Sequence, residues 1–381
     1  MNIIIFLIIL LVLVLSHEFG HFIIAKLNKI RVDEFSFGFP PKLFGKKIGE
    51  TEYNFNAIPF GGYVKIYGEN MEEADFVEVG FLDKEKDKEK IELSKRNLAF
   101  KPKYIQALVM TGGVIMNFLV AWILLSVGYM SGLPTSAVIA PNGTNVLDQA
   151  LTIVSVLPDS PAQVSGLKSG DKILALETEE DTTRLLSSFF TAETVQNFVK
   201  KHSTEEINFL VDRAGEEKKI SVVPKIINEN SGAIVGINMD MIGKLKLPFF
   251  QAFWEGIKLT TNLTGRIIVG LFTLIKDGVS GHGNLSAVTG PIGIIGVVGD
   301  AVDFGFIYLL SFTALISINL AVINLIPFPA LDGGRLLFLL IEKIKGSIIK
   351  PKVANTVNAI GFTLLMILML VITYHDIVKL F

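Results

Sequence analysis

Two histidines and a glutamate stand inside an otherwise apolar run, LVLVLSHEFGHFIIAK, residues 11–26. His17 and His21 are four apart, so a helix projects them about 40° from each other on one face, as two ligands of one ion require. Glu18 sits beside the pair. Neutral imidazoles suit zinc, and an adjacent carboxylate can take a proton from a water whose pKa the ion has lowered toward about 7. The pattern H-E-x-x-H therefore reads as a hydrolytic zinc site. Such a site wants a third protein ligand, and the chain has no cysteine. His202 falls in a polar region, His282 in a Gly-rich loop and His375 at the end of the last apolar stretch, so all three read as satisfied or solvated side chains. A carboxylate at the right depth is the better candidate, and INLIPFPALDGGRLL (residues 323–337) supplies Asp332. Pro327 and Pro329 interrupt the helix before it, and Gly333 and Gly334 let the backbone approach closely. The competing reading is an Asp that caps a helix before a Gly-rich turn.

The elements that must position these residues are membrane helices. Half of the 381 residues are hydrophobic, 19% are charged and the net charge is −2, which excludes an electrostatic case for nucleic acid. Four stretches are long and apolar enough to cross a hydrocarbon core, which takes roughly 20 residues of helix: 2–25, 104–130, 304–326 and 353–374. The first lacks a basic n-region and a small-residue cleavage site, and reads as a retained span. Lys26, Lys29, Arg31, Lys42, Lys46 and Lys47 follow it, and Lys95, Arg96, Lys101 and Lys103 precede the second. By the positive-inside rule that loop is cytoplasmic, as is the turn carrying Arg335, Lys343, Lys345, Lys350 and Lys352. Both termini and the long 131–303 segment are then outside. The run DKEKDKEK (residues 83–90) reads as a solvated link.

Depth constrains topology. His17 lies about 15 residues, or roughly 22 Å, into the first span, toward its cytoplasmic end. The third span must run inward to bring Asp332 to that depth. If the apolar stretch 249–275 also crossed, Asp332 would end on the wrong side, so it is expected as an amphipathic helix in the outer interface, anchored by Trp254. The expected organisation is a first transmembrane helix (1–27), a cytoplasmic loop with a membrane-associated β region (28–103), and a second transmembrane helix (104–130). An outer β-rich domain (131–245), an interfacial helix with a Gly-rich loop (246–303), and third (304–334) and fourth (353–374) transmembrane helices follow. Within the loop, TEYNFNAIPFGGYVKIYGE (51–69) places Gly61 and Gly62 at a turn and Tyr63 and Val64 on a strand beside the membrane. A helical substrate must unwind to be cut, and an exposed strand edge there would supply its backbone with partners. An ordinary packed hairpin is the alternative.

HEFGH on the first span, with NLIPFPALDGG (324–334) on the third, resembles the site-2 protease family of intramembrane zinc metalloproteases, in particular the bacterial regulator of sigma-E protease group. FSFGFPPKLF, AIPFGGYVKIYGE, NFLVAWIL and TGPIGI stand in that family's order, and PDSPAQVSGLKSGDKILAL is similar to a PDZ domain. The resemblance implies a polytopic α-helical membrane protein of the bacterial inner membrane, with four transmembrane helices, a membrane-associated β-hairpin region and one extracytoplasmic PDZ-like domain. It implies zinc held by His17, His21 and Asp332, Glu18 as general base, and Asn324 as a polar residue holding the substrate chain. The expected substrates are single-pass membrane proteins, either an anti-sigma factor or a signal-peptide remnant. One departure is visible: TGGVIMN (111–117) has Gly113 where relatives often have Pro, which is expected to bear on helix shape and not on chemistry. Rival functions are a catalytically silent membrane-anchored PDZ adaptor and, more weakly, a zinc transporter.

Overall fold

The computed structural model describes residues 1–69, 93–138, 140–141, 143–157, 160–178, 191–226, 233–281 and 290–378. The charge run 83–90, the turn at Pro158, and His282 with its Gly-rich loop lie outside the described residues. Helix α1 (Asn2–Leu27) turns Leu13, His17, Gly20 and His21 inward, while Ile3, Ile4, Ile8 and Val12 remain exposed. A uniformly apolar helix with polar groups on one buried stripe is what a lipid-facing span with a functional interior requires.

Strands β1 (Val32–Ile48) and β2 (Thr51–Ile66) form a long hairpin that folds back on itself. Phe35 pairs with both Tyr53 and Val64, so the first half of β1 lies between the two halves of β2. The last half of β2, carrying Gly61 to Lys65, is left as the strand nearest α1, the other element packed against β2. Aromatic packing fixes the fold: Phe22 of α1 meets Phe35 and Tyr53, and Phe37, Phe55 and Phe44 stack in sequence.

The stretch expected as one span from residue 104 to 130 is two helices, α2 (Lys103–Met110) and α3 (Gly112–Ser131), parted at Thr111. The cause is packing. Gly20 and Gly112 cross so closely that a Cβ on either would strike the other's backbone, a contact that lets membrane helices meet at backbone distance.

Beyond α3 the chain builds a β-rich domain in which every pair is antiparallel. Strands β3 (Leu133–Ser136) and β4 (Leu147–Val156) are followed by the short helix α4 (Pro161–Val164), β5 (Lys172–Glu177) and helix α5 (Ala192–Lys201). Then come β6 (Ile207–Arg213), β7 (Glu216–Val222), β8 (Lys225–Ile226), β9 (Ala233–Ile234) and β10 (Ile237–Leu245). The main sheet runs β3-β10-β4-β5-β6-β7. Leu151, Ile153, Ile173, Leu176, Ile207 and Phe209 from the sheet pack with Val195 and Phe198 of α5 in one buried cluster.

A buried ion pair closes this domain: Asp171, fully buried, receives Nε and Nη2 of Arg213 at 2.6 Å each and the Lys168 amide at 2.9 Å. Hydrogen bonding to Asp171 holds the Arg213 guanidinium above its usual pKa. Removing one partner of a buried pair strands the other charge, at a cost of about 3–5 kcal/mol. Arg213→Ala is therefore expected to lower the opening free energy of β5 and β6 by that amount, read by amide hydrogen exchange of the full chain. Exchange unchanged from the parent would show that Asp171 finds another partner.

Helix α6 (Phe249–Val279) covers the stretch expected as an amphipathic helix, and it is not among the described helices apolar enough to cross a membrane. It does not lie apart from the spans. Gly256 abuts Ser126, Trp122 Nε1 donates to the Phe253 carbonyl at 2.9 Å, and Leu259, Leu263, Ile267 and Leu271 pack against a cluster drawn from α3 and the third span. Ala252 and Thr260, with no exposed surface, and Gly256 give this face the small residues that close helix packing needs. Trp254 on the other side is 63% exposed, so the anchoring residue faces outward while the helix follows its neighbours lengthwise.

Helix α7 (Pro291–Asp303) leads into α8 (Phe306–Leu325), then α9 (Asp332–Lys345) and α10 (Pro351–Val378). Among the described residues, α1, α3, α8 and α10 are the helices long and apolar enough to cross a membrane. Helix α8 packs on α3 through Ala314 and Ile318 against Ala121 and Leu125. Helix α10 is peripheral, tied at one end by Asp376, which accepts from the Gly290 and Gly293 amides, and at the other by Asn358, which accepts from Ala330.

Candidate metal centre and active site

The close crossing of α1 and α3 brings His17 and His21 beneath the end of α8. There the chain turns sharply: Gly333 lies against the Leu325 and Ile326 carbonyls and Gly334 against Phe328, contacts that a side chain on either would prevent. This fold-back makes Asp332 the first residue of α9. Among the described residues no hydrogen bond joins its carboxylate to that helix. It points instead at the histidines.

The three donor atoms form a nearly equilateral triangle. His17 Nε2 is 3.1 Å from Asp332 Oδ2, His21 Nε2 is 3.2 Å from the same oxygen, and the two Nε2 atoms are 3.2 Å apart. Tetrahedral zinc with ligands at about 2.0–2.1 Å has edges of about 3.3 Å. The triangle is one face of that tetrahedron, and among the described residues it is the only His, Asp and Glu cluster of this kind. The donors thus fit zinc with a fourth corner left for water or substrate.

What holds the imidazoles is equally specific. His21 Nδ1 lies 2.8 Å from the Val109 carbonyl in the last turn of α2, which fixes its proton on Nδ1 and leaves Nε2 as a lone-pair donor. His17 Nδ1 lies 3.2 Å from the amide of Asn117, a fully buried residue of α3 whose backbone carbonyl accepts from Ser317. As placed, the Asn117 nitrogen faces the ring and its oxygen is buried without a partner. Exchanging the two atoms, which X–H placement leaves free to assign, lets Oδ1 accept from His17 Nδ1–H and frees Nε2 for the metal. Gly113 lies flat on the same ring, where a Cβ would strike it. Gly113 therefore bears on the placement of His17 as well as on helix shape.

Glu18 is close to both histidines and Asp332 without belonging to the triangle, and the Val64 backbone lies near its carboxylate. A side chain at Gly62 would reach van der Waals contact with Glu18, so the last half of β2 passes near that side chain. Tyr63 is turned away, its hydroxyl donating to Glu34 at 2.9 Å, and Gly61 packs on the Phe39 ring. Asn324 occupies the final turn of α8, partly buried, and no hydrogen bond among the described residues joins it to the triangle. His202 bonds Glu205 in the β-rich domain and His375 lies near the far end of α10, both away from the site. Asn117 and Val109 were not anticipated. The signal was present in Asn117, since a buried amide within a span demands a partner, whereas a backbone carbonyl leaves no mark in a sequence.

Replacing Asn117 with Leu is expected to weaken zinc binding by about 10–100-fold, the usual effect of losing a partner that orients a ligand. Zinc titration of the purified chain checks this, and Asn117→Asp, which keeps the acceptor, should recover most of the affinity. Parent-like affinity in the Leu variant would remove Asn117 from any role at His17.

Comparison with known proteins bears on this geometry. The family model for peptidase family M50 matches residues 5–368. The zinc metalloprotease RasP of Shouchella clausii is 31% identical, the alignment covering 97% of each chain. Zinc metalloprotease RasP of Geobacillus kaustophilus is 29% identical over 100% of this chain and 98% of its own. Regulator of sigma-W protease RasP of Bacillus subtilis is 29% identical over 100% and 99%.

Proposed function

The chain belongs to peptidase family M50 and is a site-2 type zinc metalloprotease, and we propose from that premise that it cuts single-pass membrane proteins within the bilayer. The substrates are an anti-sigma factor or a signal-peptide remnant, a reading supported by the sigma-W regulator named among its relatives. The observation that carries the proposal is the donor triangle set among apolar helices. His17, His21 and Asp332 hold the zinc, which when bound polarises the scissile carbonyl and acidifies water. Glu18 takes the proton of the attacking water and returns it to the leaving amine. Asn117 and Val109 keep the imidazole protons on Nδ1.

A substrate helix has its carbonyls bonded and shielded, so it must unwind before attack. The edge of β2 at Gly61, Gly62, Tyr63 and Val64 receives the unwound strand, and Asn324 at the end of α8 holds it from the other side. Proximity of Gly62 to Glu18 supports this placement. The loop between α1 and α2 faces the cytoplasm, and the β-rich domain, PDZ-like in our reading, faces outward. Support for a peptide-binding role comes from a groove between Val195 and Val199 of α5 and residues 235–239, where β3 covers only residues 242–245 of β10.

The test is incubation of the purified full chain in detergent with transmembrane peptides, with chelator and with zinc restored. Cleavage should vanish with chelator and return with zinc. Intact peptides in every arm, from zinc-loaded protein, would favour the adaptor reading.

A further inference from the structure

On the proposed cytoplasmic side, where α1 ends, three segments enclose an open cavity of about 510 Å³. Its walls are Lys26 in the last turn of α1, Lys29 and Ile30 after it, Glu50 at the hairpin turn, and Lys95, Arg96 and Lys101 ahead of α2. Among the described residues five cations thus line it with one carboxylate. Glu50 is already committed, accepting from Lys26 at 2.6 Å and from Arg96 Nη2 at 2.7 and 2.6 Å on its two oxygens. Burial alone would raise its pKa, but the Lys26 and Arg96 hydrogen bonds hold it below the usual carboxylate value, so it stays charged. Lys29 and Lys101 make no ion pair with a described residue.

An excess of cations around a concavity selects an anion with several oxygen acceptors, above all a phosphate. Location selects its carrier. Lys26 is in the last turn of a membrane span, at the depth where phospholipid headgroups lie. Leu27 and Phe100, each next in sequence to a cavity lysine, are 75% and 40% exposed, an apolar rim that suits an acyl chain and has no use for a free ion. We propose that this cavity binds the phosphate of an anionic phospholipid headgroup from the leaflet at the end of α1. The occupant bridges the catalytic helix, the hairpin and the entry to α2 through charge alone. Basic pockets at the cytoplasmic ends of membrane helices take such headgroups.

Native mass spectrometry of the detergent-purified full chain, titrated with phosphatidylglycerol or phosphatidylcholine, tests the site. The parent should retain phosphatidylglycerol in preference to phosphatidylcholine. The double variant Lys29→Glu/Lys101→Glu should bind it about thirtyfold more weakly, since each basic contact near the surface carries about a fivefold share. Unchanged zinc content establishes that this variant is folded, because neither lysine holds an ion pair with a described residue. Reversal at Lys343 and Lys345, exposed near the end of α9, should have little effect. Equal losses in the two double variants would reduce the effect to general surface charge and overturn the site. Displacement of the lipid by millimolar inorganic phosphate, with no preference between the two lipids, would assign the cavity to free phosphate instead and overturn the lipid reading.

Discussion

Glu18→Gln should reduce peptide cleavage by about 10²–10⁴-fold, the span that general base catalysis contributes, while the chain still binds one zinc. Glutamine keeps the shape of the side chain, so its packing beside the Val64 backbone survives. What is lost is the acceptor for the water's proton. Because Glu18 stands outside the triangle of His17, His21 and Asp332, zinc stoichiometry and affinity should match the parent. Turnover near the parent rate in single-turnover assays would reject the assigned base. Loss of zinc from this variant would make Glu18 a ligand and overturn its assignment as base.

Asp332→Ala acts on the other half of the chemistry. It deletes one corner of the donor triangle and leaves two neutral imidazoles, so zinc affinity should fall by more than the roughly 10–100-fold expected for an orienting residue, and activity should fall with it. Excess zinc should restore part of the activity of Asn117→Leu and very little of Asp332→Ala, because the first variant keeps all three donors. Metal analysis at matched free zinc separates the two. Full occupancy of the Ala variant at parent affinity would place the third ligand outside the described triangle.

The legible part of this molecule was the part written in side-chain chemistry. The spacing of His17 and His21 on a helix, the need for a third donor without cysteine, and the two glycines after Asp332 were readable from residue types and the depth argument. The helix break at Thr111 was not, because it arises from a glycine pair 92 residues apart in sequence, Gly20 and Gly112, and nothing local in TGGVIMN announces which helix will press against it. The partner of α6 was not legible for a related reason. Its amphipathic pattern states that one face is apolar, but lipid and a neighbouring helix satisfy an apolar face equally well, and only the small residues Ala252, Gly256 and Thr260 hinted at the helix. The double pairing of Phe35 is likewise invisible, since alternation along β1 looks the same with one neighbour strand or two.

The crossing of Gly20 and Gly112 has a bearing on substrate choice. Backbone set against backbone leaves no side chain to rearrange, so α1 cannot slide along α3, and the donor triangle is pinned at a constant height between the two water boundaries. Such an enzyme measures as well as cuts. On the proposed intramembrane reading, the bond expected to be cut is the one whose distance from the membrane surface matches that height, provided the helix there unwinds. Moving a helix-breaking pair along a substrate by one turn, about 5.4 Å, takes it out of register with the blade.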